Sequence, residues 1–327
     1  MKNQNVLSKE ITNKLSFFRW GFILIVVLFH SDFRFFYPFI EDLTAVSTAY
    51  FFCASAFFFY RGLSNENIAE RLRKRCFTLL LPYFLWNIIY IILYLKIYNF
   101  TFSSVLQGFT ITPFCTPSWY LLTLFIFFIP AGLIKRALSK AYSTVILLIF
   151  GVIISYLGYI RFQQELATIP AVGGYLVRMA EYLTSYLIGG IMGTWFDKKI
   201  YVTWKECWIG AISSCTVIFL LKWDIPVEMR WLLWMIFPLI LWKAVPETIF
   251  GNVRISCLFT EPFFWINMSH CYLLFAWGTI TTKMGFVTGK YLVALNLILT
   301  LAVSYALYYL LKLFIPKVLQ ILTGNRI

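Results

Sequence analysis

Charged residues are scarce in this chain: Asp, Glu, Lys and Arg make up 13% of 327 residues, against about 25% in ordinary soluble domains. That scarcity excludes a water-soluble fold, because the 61% of apolar residues beside it exceeds what one soluble domain buries. Metal-ligand spacing is missing as well. The seven cysteines (Cys53, Cys76, Cys115, Cys207, Cys215, Cys257 and Cys271) form no CxxC pair, and only His30 and His270 add imidazoles. No zinc or haem site is expected, and most of these thiols read as small apolar groups. Strand-like alternation is also lacking. A bilayer that solvates such a chain leaves the backbone to satisfy itself, as helices or as a closed barrel. The runs Phe22–Phe29, Ile88–Leu95 and Leu121–Ile129 have no period of two. The expected fold is all-α, a polytopic transmembrane bundle.

What is there is apolar runs of crossing length, about twenty residues each. They place about ten spans at 16–37, 43–60, 77–97, 118–134, 142–160, 175–196, 206–223, 231–246, 262–282 and 291–315. Gly189, Gly190, Gly193 and Pro238 interrupt some of these runs, and Pro82 and Pro130 are expected to kink theirs. Of the 28 Lys and Arg, nineteen fall in loops on one side of this layout and seven on the other. The positive-inside rule then puts both termini in the cytoplasm. The same asymmetry accounts for the net charge of +14 without nucleic acid, since the basic loops face cytosol and anionic lipid. No linker, repeat or low-complexity tract divides the chain, so residues 1–327 read as one membrane domain.

One pair stands out. In FFRWGFILIVVLFHSDF, residues 17–33, Arg19 and His30 share the first span, eleven residues apart. Eleven helical steps return to within about 20° of the starting direction and rise about 16 Å, so both project from one stripe. Ionisable groups inside a bilayer are costly and usually face a protein interior or an aqueous cavity. Alone, Arg19 reads equally well as an interfacial snorkelling residue and His30 as a helix-bundle hydrogen bonder. Asp32, two residues beyond His30, is turned about 200° away on a continuing helix and is not expected to orient that imidazole. Arg178 and Glu181 are spaced to pair on one helix face, Glu261 before Pro262 reads as a helix-start carboxylate, and His270 reads as an interhelical hydrogen bonder.

Arg19 and His30 with ten residues between them resemble the first-helix signature of the acyltransferase 3 family, membrane O-acyltransferases of surface glycans, antibiotics and lipids. FFCASAFFF, residues 51–59, resembles its second-helix segment, with Ser55 matching and Ala56 in place of glycine. RLRKRCFTLLLPYFLW resembles its basic loop before the third helix, through Arg71, Arg73, Arg75, Pro82 and Tyr83. PSWYLLTLF resembles its fourth-helix opening, through Trp119 and Tyr120. MSHCYLLFAW resembles a late segment, through Ser269, Tyr272 and Leu273; Phe275 stands where that pattern carries histidine, and His270 is displaced from it.

The resemblance implies an O-acyltransferase, and its small members that transfer acetyl groups to sugars imply an O-acetyltransferase here. It would take an acetyl or other short acyl group from cytosolic acyl-CoA to a hydroxyl of a glycan or glycolipid. His30 is then the general base, and Arg19 binds the donor's phosphates or pantetheine arm. Arg71, Arg73, Lys74 and Arg75 form a landing site for CoA phosphates, against the plainer reading as topology signals. Trp119, Tyr120 and Ser55 contact acceptor or pantetheine. No permanently bound cofactor is expected. The implied setting is the inner membrane of a bacterium. Competing readings are a transporter or flippase for a glycan intermediate, with ionisable residues around a midplane site, and a structural subunit of an export complex.

Overall fold

Apolar runs of this length can close their backbone hydrogen bonds only as helices. The computed structural model describes residues 9–63, 67–95, 99–110, 113–165, 179–195, 231–238, 261–286 and 289–324, and every regular element among them is helical. Among the described residues, five helices are long and apolar enough to cross a bilayer: Glu10–His30, Phe39–Gly62, Ile68–Tyr94, Ala141–Ile160 and Lys290–Phe314. The pair Thr116–Phe128 and Ala131–Leu138, broken at Ile129 and Pro130, makes a sixth candidate. The expected span at 262–282 is the helix Phe263–Lys283, whose apolarity is diluted by Asn267, Ser269 and His270. The expected span at 206–223, the second half of 231–246, the start of 175–196 and Arg178 lie outside the described residues.

Two expected edges shift. The first helix runs from Lys9 to His30, not 16–37. It ends early because Ser31 turns back on it, its hydroxyl donating to the Leu28 carbonyl at 2.8 Å, and Asp32 adopts φ 66°. A short polar side chain tolerates that left-handed backbone far better than an apolar one. The third span begins earlier than 77. Arg71, Arg73, Lys74 and Arg75 lie on a helix, Ile68–Arg75, and not in a loop. A π turn at Cys76–Leu80 joins it to Leu81–Tyr94. Pro82 has no N–H to give one turn back, and a widened turn accommodates the missing bond. Gly324 packs on the Thr78 carbonyl there. A Cβ at Gly324 would lie 2.4 Å from that oxygen, and its φ is +64°, so only glycine fits.

The chain forms two compact units. The first takes its described residues from Met1–Leu15, Ala45–Leu72 and Ile126–Arg254. Its centre is the helix Leu183–Trp195, buried along most of its length. A Cβ at Gly189 would lie 2.0 Å from the Cys53 carbonyl oxygen, and one at Gly193 2.5 Å from that of Phe57. Those glycines, which interrupt the apolar run, let two helix backbones touch, as small residues four apart do in membranes. Tyr186 donates to the Phe127 carbonyl at 2.9 Å, so Tyr60 must donate to Tyr186 at 3.1 Å. At the C-terminal end of Phe39–Gly62, Arg71 donates to the Phe58 carbonyl at 2.8 Å and Lys135 to that of Leu63 at 2.7 Å. Cations there complete unpaired carbonyls and oppose the helix dipole.

The second unit takes Ser16–Thr44, Arg73–Phe125 and Ile255–Ile327. Helices Phe263–Lys283 and Lys290–Phe314 pack along each other, and Lys312 pairs with Glu261. Glu261 stands just before the start of Phe263–Lys283, the expected place for a carboxylate, and Lys312 is its ion-pair partner. Trp20 ties the first helix to Lys290–Phe314 by donating to the Tyr305 hydroxyl at 3.2 Å. Trp86 donates to the Leu322 carbonyl at 3.1 Å. Leu295, Ile298, Leu310 and Leu313 point outwards, an apolar surface that lipid covers without penalty. The protein is a multi-pass, all-helical membrane protein.

Candidate active site

The polar residues of the second unit converge on one helix, Phe263–Lys283. The guanidinium of Arg19 lies over the Phe263 ring, 5.3 Å from its centroid. The ring of His30 lies 5.1 Å from that of His270, seven residues further along the same helix. The two first-helix groups therefore face one partner helix, as a shared stripe predicts, meeting it two turns apart although they stand about three turns apart on their own helix. Their positions on the first helix differ from expectation. Arg19 is midway along Lys9–His30, and His30 is its last residue. Both are half-buried, whereas His270 is fully buried.

His270 is fixed by its neighbours. Its Nδ1 lies 3.0 Å from the Ile266 carbonyl oxygen, which can only accept, so Nδ1 carries the proton. Its Nε2 then presents a lone pair, and the Cys271 thiol lies 3.3 Å from it as the donor. The expected interhelical role of His270 becomes an intrahelical bond that sets the tautomer and orients the ring. Phe275, at the place of the family's histidine, packs edge-on against Tyr94 at 5.3 Å and is 42% exposed.

A tyrosine shapes the helix at this point. The Tyr90 hydroxyl donates to the Met268 carbonyl at 3.1 Å and accepts the Tyr272 N–H at 3.0 Å. Those two backbone groups are natural i to i−4 partners, so the hydroxyl is inserted into the ladder beside His270 and Cys271. Tyr90 in turn belongs to a helix locked by Asn87, whose amide donates to the Tyr83 carbonyl at 2.8 Å and to Ser118 at 3.0 Å. The Asn87 carbonyl oxygen accepts the Cys115 N–H at 3.1 Å, so this buried amide is well satisfied. Burial pushes the Cys115 thiol up to about 12, which keeps it protonated and inert.

The remaining expected site residues divide. Trp119, just after Ser118, is buried, and Tyr120 beside it is half-buried. Arg73 and Lys74 are exposed and Arg75 is half-buried on the helix Ile68–Arg75. Arg71 is held on the Phe58 carbonyl and over the Phe59 ring, a structural task beside the expected phosphate binding. Ser55 is half-buried and, like Arg71, belongs to the first unit. The tertiary structure adds Tyr90, His270 and Cys271 to the candidates. The polar run Asn267, Ser269, His270, Cys271 within an apolar helix is the signal that marks two of them. Nothing local marks Tyr90.

A partly buried imidazole beside a second imidazole of fixed tautomer can take a proton from a bound hydroxyl. A guanidinium about three turns away on the same helix, lying over the partner helix's Phe263, can hold an anionic or carbonyl-bearing donor. A family model for an acyltransferase domain matches residues 13–321, nearly the whole chain. No curated protein matches the chain, and no solved structure does.

Proposed function

Because this chain belongs to the acyltransferase 3 family, we propose that it moves an acetyl or other short acyl group from cytosolic acyl-CoA to a hydroxyl of a surface glycan or glycolipid. The observation that supports this most directly is the alignment of Arg19 and His30 on one helix, at Phe263 and His270. In the reaction the acceptor oxygen attacks the thioester carbonyl carbon, forming a C–O bond as the C–S bond breaks. His30 takes the hydroxyl proton, and the departing CoA thiolate is reprotonated. Arg19 binds the donor's phosphates or pantetheine carbonyls, and its planar fork suits both. Exposed Arg73 and Lys74, with Arg71 and Arg75, receive the nucleotide end on its way in. Trp119 and Tyr120 hold acceptor or pantetheine.

The wider setting is part of the same reading. The whole chain acts as one domain of about ten spans with both termini in the cytoplasm, in the plasma membrane of a bacterium. Donor from the cytosol and acceptor from the outer face then meet within the bundle. His30→Ala tests the chemistry in membranes supplied with labelled acetyl-CoA and glycan. Loss of about 100-fold or more in ester formation is expected, with unchanged protein level, because a general base contributes on that scale. Full activity in that variant removes His30 from the mechanism.

A further inference from the structure

Among the described residues, three soft-to-borderline donors from two distant stretches meet at one point: His30, His270 and Cys271. One ligand atom from each lies within 4.8 Å of the other two. We propose that these residues form a binding site for a divalent transition metal, with Zn²⁺ the best match. The donor set is two imidazole nitrogens and a sulfur, the chemistry that suits zinc over calcium or magnesium. The 3.3 Å between Cys271 Sγ and His270 Nε2 is close to the ligand-to-ligand separation of a tetrahedral zinc site, about 3.5 Å from its usual bond lengths. The Ile266 carbonyl accepts from His270 Nδ1 at 3.0 Å, which leaves Nε2 as the metal-facing nitrogen. A ligating histidine is usually oriented by such a second bond. His30 and Cys271 are both half-buried, so the point is reachable, while fully buried His270 anchors it.

On binding, the metal forms bonds to two imidazole nitrogens and to sulfur, and the Cys271 thiol proton leaves to solvent. Three protein ligands leave a fourth position for water. The inference departs from the expectation drawn from cysteine spacing, which registers only ligands close together along the chain. The metal-bound form is closed to acyl transfer, because the His30 ring nitrogen that would take the acceptor's proton is then bound to the metal; the readout here is metal and not ester.

The test is titration of purified, detergent-solubilised full-length protein with Co²⁺, followed by competition with Zn²⁺. Expected are one ion per chain, the visible bands of a tetrahedral site, and a sulfur-to-cobalt charge-transfer band in the near ultraviolet. Cys271→Ser should lose the charge-transfer band, and His30→Gln and His270→Gln should each weaken binding about 100-fold. Cys76→Ser, outside the cluster, should keep all three signals, and circular dichroism and elution volume show which variants remain folded. Absence of stoichiometric binding in the parent protein overturns the proposal. So does binding that survives unchanged in folded Cys271→Ser and His30→Gln.

Discussion

The helices Leu183–Trp195 and Phe263–Lys283 solve the same problem in opposite ways. In the first, cohesion comes from bare backbone: Gly189 and Gly193 lie against the Cys53 and Phe57 carbonyls with no room for a methyl group. In the second, cohesion comes from polar side chains: Tyr90 enters the backbone ladder, Ser269 meets Ser304 at 3.4 Å, and His270 meets His30. Lipid tails are as apolar as leucine, so close packing or hydrogen bonding must supply helix association. Packing asks for small residues and carries no chemistry. Hydrogen bonding brings ionisable groups into an apolar region at a cost, which is why such groups mark candidate functional sites.

The harshest way to break the comparison is to fill the glycine seam. Gly189→Leu forces side-chain atoms onto the Cys53 carbonyl and should cost about 3 kcal/mol or more, seen as loss of monodisperse protein on thermal challenge. Normal thermal stability of that variant means the seam does not hold the helices. The polar side responds differently. Tyr90→Phe lets Tyr272 and Met268 pair directly, so stability should fall by no more than about 1.5 kcal/mol. Acyl transfer should nevertheless fall about tenfold, since His270 and Cys271 sit on the segment that shifts. Equal losses in stability and activity would make Tyr90 a packing residue only.

A milder probe is Arg19→Lys. It keeps the charge and loses the planar fork, and KM for acyl-CoA should rise about fivefold with kcat nearly unchanged. A fall in kcat with KM constant would put Arg19 at the transition state and not at the donor. The smallest effect is the control for the glycine argument. Gly278 lies on Phe263–Lys283 with nothing within 4 Å of a Cβ, so Gly278→Ala should shift stability by no more than about 0.5–1 kcal/mol, in the stabilising direction. A loss as large as that of Gly189→Leu would end the distinction between the two helices.

Legibility in the sequence tracked locality. The helices Phe39–Gly62, Ala141–Glu165 and Lys290–Phe314 fall close to the expected spans, because a run of apolar residues is itself the reason for the helix. The edges at His30 and Ile68 were less legible. One depends on Ser31 and Asp32 competing for local hydrogen bonds, the other on a π turn that lets the basic run continue as helix. Arg71 is a sharper case. A basic residue at a span edge signals topology and anionic ligands, and nothing in the local sequence shows that its guanidinium also donates to the Phe58 carbonyl.

Composition and runs of like residues, which any window of the chain displays, determined by themselves that this protein is helical and lives in a bilayer. Helical periodicity further determined that Arg19 and His30 share a stripe, because both stand on one helix. Only the tertiary structure decided what that stripe faces. It set His270 and Cys271, some 240 positions along the chain, beside His30, and it gave Tyr90 its place in their helix. The physical reason is that helices in lipid choose partners by the fit of small residues and polar groups across an interface, and no single segment contains both sides of that fit.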